Sequence, residues 1–203
     1  MLATLCLLTA TCVPDTTQSA GPAAPGAQAP SKLPYTYVDL SYISQDADGF
    51  EDDPTGGAIE GSFGFNENWF ATAGFTHTSG QTGGVDLDLD VLALGIGYHY
   101  PLSPMADVVA GLSFLRAEVN ADPFGADDST NGYSLDIGVR AMPAPQFELA
   151  GGLSFVDFDD FFDSQTILGV NGVYYPSPNF GVFLGLSTSD DVDQASIGIR
   201  FVP

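Results

Sequence analysis

A histidine held by a carboxylate can act as a general base, and the stretch HTSGQTGGVDLD brings His77 within one hairpin of Asp86 and Asp88. No nucleophile or oxyanion donor accompanies them, so the sequence predicts a protein that is not an enzyme. A second candidate is DADGFEDD, where Asp46, Asp48 and Gly49 open in the manner of a calcium loop and Glu51 follows. The later ligands of such a loop are missing. No specific metal or cofactor is expected, and the acidic stretches are expected to gather Ca2+ or Mg2+ only diffusely.

A third set of charges follows a strict alternation. In SLDIGVRA, Ser134, Asp136, Gly138 and Arg140 take turns with Leu135, Ile137, Val139 and Ala141. In ASIGIRF, Ser196, Gly198 and Arg200 take turns with Ile197, Ile199 and Phe201. Side chains of a strand point to opposite faces with period two, so each arginine belongs to a small-residue face whose reverse is apolar. Hairpin register across PLSPM predicts that His99 meets Asp107, and across PAPQ that Arg140 meets Glu148. Asp39 on the first strand meets Arg200 on the last if the sheet closes. With Glu60 and Asp136 these residues make a polar network on one face. Buried ions need partners, so the expected role of the network is to plug and hold an interior rather than to select a solute.

The elements that must position these residues are about ten alternating segments, near 35–45, 58–66, 68–78, 87–100, 106–118, 132–142, 146–157, 165–175, 180–188 and 194–202. Short neutral connections (NEN, PLSPM, PAPQ, PSPN) take turns with longer acidic ones (QDADGFEDDPTGG, SGQTGGVDLD, NADPFGADDSTNG, FDDFFDS, SDDVD). Pro, Asn and Ser suit tight hairpins. The expected fold is therefore all-β, a closed antiparallel up-and-down transmembrane barrel of about ten strands, with eight as the alternative. Its acidic loops lie at one end and both termini at the other.

Composition narrows the function. Twenty-six acids against 4 basic residues give a net charge of −22, which excludes nucleic acid as a partner, since phosphates need Lys and Arg. The 24 glycines and 12% aromatic content favour short strands and turns over helices. The opening MLATLCLLTATCV has the size of a signal-peptide core and is too short to span a bilayer as a helix. Residues 1–20 are read as a signal peptide, with cleavage near Ala20 or Ala29, or lipidation at Cys12, as routes of export. Residues 21–34 are read as a Pro/Ala-rich flexible leader, and 35–203 as the barrel.

Periodicity alone leaves open whether the apolar face lies inside, as in a secreted soluble barrel binding an apolar ligand, or outside, as in a membrane barrel. Two features favour the membrane. The polar face is made of Gly, Ser and Ala with few charges, which suits a crowded interior. Aromatics also gather near strand ends: Tyr35, Trp69, Tyr98, Tyr100, Phe147, Tyr174, Tyr175, Phe180 and Phe201 by the short turns, and Tyr42, Phe75, Phe114, Tyr133 and Phe155 towards the loops. Two such girdles flank the apolar band of a transmembrane barrel.

The hairpins GSFGFNENWFATAGFTH, LALGIGYHYPLSPMADVVAGLSF and YSLDIGVRAMPAPQFELAGGLSF resemble those of small Gram-negative outer-membrane β-barrels, the OmpA/OmpX and opacity-type, porin-like group. The resemblance covers roughly residues 35–203 and rests on pattern and turn chemistry. It implies residence in the outer membrane, contact with lipid and lipopolysaccharide, and handling by the barrel-assembly machinery. That machinery reads a terminal aromatic, here Phe201, which Val202 and Pro203 follow. A structural or surface-interaction role is expected for so narrow a barrel, the alternative being a narrow selective porin-like channel.

Overall fold

The structure, a computed structural model, describes residues 31–47, 50, 52–122, 126–159, 164–190 and 192–203. Ten strands account for its regular structure: β1 (Tyr37–Ala47), β2 (Asp52–Gly64), β3 (Trp69–Thr82), β4 (Val85–Ser103), β5 (Ala106–Asp122), β6 (Ala126–Ala144), β7 (Phe147–Phe158), β8 (Gln165–Ser177), β9 (Phe180–Thr188) and β10 (Val192–Phe201). Each pairs antiparallel with its neighbours in sequence, and β1 pairs with β10 to close the barrel. Closure satisfies every strand edge, which a bilayer core without water demands.

At the end where β1 begins and β10 finishes the turns are short, and prolines set the shape of three of them. Register shifts fall between Ala141 and Ala144 and between Tyr174 and Ser177, around Pro143 and Pro176. A third lies between Pro101 and Ser103. Proline cannot donate to a ladder and is tolerated in a sheet at such bulges.

The opposite end differs from the expectation of long loops. β3 and β4 stay paired to Thr82 and Val85, joined only by Gly83 and Gly84, at φ 59° and 75°. Two successive left-handed residues make the turn that matches strand twist, and glycine adopts them without strain. Asp86, Asp88, Asp90 and Glu118 therefore lie on strands and not in loops. β5 and β6 likewise continue past the apolar band, pairing as far as Ala121 and Ala126.

The apolar parity faces out. Ile137 is 60% exposed and Leu184 63%, whereas Arg140 and Arg200 are 1% and 2% exposed. This reverses the order of a soluble barrel, so that alternative does not hold. Trp69 meets Tyr98 edge-on at 5.0 Å, and Phe147 lies 5.0 Å from Tyr174, in the girdle beside the short turns. Tyr133 and Phe155, 6.4 Å apart, belong to the other. Two expected girdle members are corrected: Tyr35 and Tyr175 are 2% and 6% exposed and point inward.

One step beyond the second girdle the outward ladder changes character. Phe75 gives way to His77, Leu92 to Asp90, Phe114 to Arg116 and Phe155 to Asp157. At 3.3 Å per residue and a tilt near 40°, the apolar stretch from Phe147 to Phe155 is about 20 Å tall, close to the band of other transmembrane barrels. The strands end well above it.

Candidate functional site

The inward faces of β1, β6, β7 and β10 converge on one charged tier. Asp39 and Arg200 are direct cross-strand partners at the closing seam. Arg200 Nε donates to Asp39 Oδ1 at 2.9 Å and Nη2 to Oδ2 at 2.7 Å, a two-pronged pairing that uses the guanidinium fork. Its Nη1 reaches Glu148 Oε1 at 3.3 Å. Arg140 donates to that same oxygen through Nε at 2.9 Å and also through Nη2. The second Glu148 oxygen accepts from Tyr175 Oη at 2.8 Å. Asp39, Arg200, Glu148 and Arg140 thus form a chain of alternating sign across the lumen.

Aromatic faces complete the tier. The Arg200 guanidinium lies 3.7 Å from the centre of the Tyr37 ring, and that of Arg140 lies 5.4 Å from Tyr35. Such contacts gain strength once water is excluded. Tyr37 and Tyr175 are functional neighbours that charge-based reading missed. Parity was the available signal, since Tyr37 shares a face with Asp39, and Tyr175 with Val173.

Arg140 and Glu148 meet without being opposite. Arg140 stands across from Asp107 on one side and Ala150 on the other. Glu148 lies within the register shift around Pro143, which brings its carboxylate onto Arg140. His99 Nδ1 and Asp107 Oδ2 are 3.1 Å apart, 5% and 0% exposed. They too are diagonal, because Asp107 faces Pro101 and His99 faces Val109. The Tyr35 ring stacks on His99 at 3.7 Å. Glu60 is buried directly beside Asp39. Asp136 lies apart from both arginines, between Gly111 and Ser154, and accepts a hydrogen bond from Ser134 Oγ at 3.1 Å.

Above the tier, towards the acidic end, is a cavity of about 90 Å3 walled by small residues including Gly138, Gly152, Ser154, Asn171 and Ser187. That volume would hold about three water molecules. Beyond it Leu89, Val91, Leu115, Ala117, Val156 and Ile167 pack together. A second apolar cluster gathers Leu33, Tyr35, Phe70, Val109, Phe183 and Val202; it fills the short-turn side of the lumen and reaches past the arginines at Val109 and Phe183. Glycines make room for these rings: a Cβ on Gly97 would run into Phe70, and one on Gly181 would lie 2.8 Å from Val173 Cγ1.

The remaining candidates lie outside the lumen. His77 pairs with Asp90, its cross-strand neighbour, at 2.8 Å, and not with Asp86 or Asp88. Asp86 instead accepts from Gln81 at 2.8 Å, and Asp88 faces Ser79. The full pairing of β3 with β4 sets this register, which the expectation of a loop could not supply. Asp46 is opposite Asp193, while Asp48 and Glu51 lie outside the described residues. Among the described residues no group of three or more His, Cys, Asp or Glu is arranged to hold a metal ion.

With this geometry in place, comparison with known proteins is informative. The model of the family described as outer membrane protein beta-barrel domain matches residues 3–175. Among solved structures, the NanC porin is 12% identical with a TM-score of 0.51, over 81% of this chain and 98% of that one. The translocator domain of the autotransporter NalP from Neisseria meningitidis is 8% identical with a TM-score of 0.50, over 85% of this chain and 90% of that one. The attachment invasion locus protein Ail of Yersinia pestis is 16% identical with a TM-score of 0.44, over 82% and 97%. Identities this low speak to fold alone. No curated protein sequence matches significantly.

Proposed function

Because the chain belongs to the outer membrane protein β-barrel domain family, we propose that it is an integral outer-membrane barrel with a filled lumen and a structural or surface-interaction role. One observation carries the reading: the buried chain Asp39–Arg200–Glu148–Arg140 crosses the lumen with apolar clusters on both sides. Each of its charges is answered by another, which suits cohesion between strands rather than passage of a solute.

In this reading the N-terminal apolar run directs export. The outward apolar band meets lipid, the acidic strand ends meet the lipopolysaccharide region, and Phe201 serves recognition by the assembly machinery. Catalysis forms no part of it. Calcium or magnesium binds the acidic end diffusely, a weak effect that salt screens.

A narrow selective channel is the second reading, favoured by the cavity beside Arg140 and Arg200. Planar-bilayer recording of the refolded protein separates the two. The filled barrel gives no stepwise conductance while showing heat-modifiable migration on gels, whereas ohmic steps in the same preparation would establish the channel and end the first reading.

A further inference from the structure

Residues 31–36 precede the first strand and form no part of the ladder, yet Leu33 and Tyr35 are each only 2% exposed. Both side chains enter the short-turn mouth and join Phe70, Val109 and Val202 in the lower cluster. Pro34 between them has no N–H to offer a neighbouring strand. Main-chain anchorage is slight. Lys32 N donates to Pro104 O at 3.2 Å, and Ser62 Oγ donates to Tyr35 O at 3.0 Å. What holds the segment is side-chain burial and the stacking of Tyr35 on His99 at 3.7 Å. The segment can therefore leave without breaking a single bond of the barrel ladder.

Its departure would have a defined effect. Val109 belongs to the lower cluster and also lines the cavity, and the guanidinium of Arg140 lies 5.4 Å from the centre of the Tyr35 ring. We propose that residues 31–35 are a displaceable plug of the short-turn mouth, docked on the buried His99–Asp107 pair, and that its withdrawal opens the lower lumen, as far as Val109 and the underside of the charged tier, to the periplasm. The charged tier and the upper apolar cluster stay in place, so withdrawal uncovers a chamber and not a through-path. This inference rests on the filled-lumen reading.

The test is thiol accessibility in the full chain, with Cys6→Ser and Cys12→Ser as background and Val109→Cys as the reporter, a buried position in the lower cluster. Outer-membrane fragments are exposed to a small cationic methanethiosulfonate, and labelling is followed by intact mass. Leu33→Ser removes the burial of a leucine, so the labelling rate should rise roughly tenfold or more. Tyr35→Ala, which removes the ring over His99, should act in the same direction. Both variants are checked for heat-modifiable migration. A disulfide between Lys32→Cys and Pro104→Cys should return Leu33→Ser to the slow rate, and reduction should release it. Slow labelling that neither variant accelerates would overturn the plug while leaving the filled lumen intact. Fast labelling of the unaltered barrel together with ohmic conductance would overturn the filled-lumen reading itself.

Discussion

Removing Arg140 and removing Arg200 should have unequal effects, and the hydrogen-bond pattern sets their order. Arg140→Ala takes two donors from one Glu148 oxygen, but that carboxylate keeps Arg200 at 3.3 Å and Tyr175 at 2.8 Å. Breaking a buried pair costs about 3–5 kcal/mol, and the retained partners place Arg140→Ala near the lower bound. Arg200→Ala removes the partner of Asp39 and the second partner of Glu148 together, and leaves Asp39 beside Glu60. Its cost should lie near or above the upper bound. The double change of Arg140 and Glu148 to Ala should cost less than the sum of the singles by about 1–3 kcal/mol, since each single change strands its partner. Urea unfolding of the refolded barrel in lipid vesicles reads these differences. Its signal is the fluorescence of Trp69, the single tryptophan, which is 42% exposed on the outer surface. Additive costs, or an Arg200→Ala variant more stable than Arg140→Ala, would refute the tier as the cohesive element.

Quenchers dissolved in lipid should dim probes at positions 139 and 199 and spare those at 140 and 200. Equal quenching at all four would invert the assignment of faces. A cysteine at Gly84, on the two-residue turn, should react with impermeant maleimide on intact cells. One at Gln146 should react only after permeabilisation, and the opposite pattern would reverse the topology. Gly97→Val directs its side chain at the Phe70 ring and should destabilise the barrel by about 1–3 kcal/mol through overpacking. Pairing it with Phe70→Ala should recover part of that loss, and no recovery would mean that the contact is not what makes glycine necessary there.

Strand number and the parity of the faces were legible because apolar and small residues alternate cleanly in segments such as Leu135–Ala141. Strand length was not. In VDLDLDV the charge density suggests a loop, although alternating Asp and Leu is itself a strand pattern, with Leu87 and Leu89 turned inward and Asp86, Asp88 and Asp90 outward. Tyr174 and Tyr175 sit side by side near a turn, and only parity assigns one to the girdle and the other to the lumen. The pairing of Arg200 with Asp39 followed from closure. Its contact with Glu148, 52 residues away, did not, because it depends on how far side chains reach across the barrel. The segment 31–35 has the composition of a linker, and its burial arises from the mouth that receives it.

The bidentate pair between Asp39 and Arg200 lies where the two ends of the chain's sheet meet, 161 residues apart. Such a joint forms only after the rest of the sheet has drawn its ends together, since distant contacts are costly to bring about early. Were β10 to meet β1 one residue out of step, all its side chains would change sides. Arg200 would then face lipid beside the short-turn girdle, where a charge costs up to about 1 kcal/mol, while Asp39 would lose its partner and Ile197 and Ile199 would crowd the interior. A two-residue error would restore the sides but carry Arg200 away from its opposite number. The pair thus works as a lock and key for the last step of assembly, rewarding one alignment of the closing strands among those the backbone alone would accept.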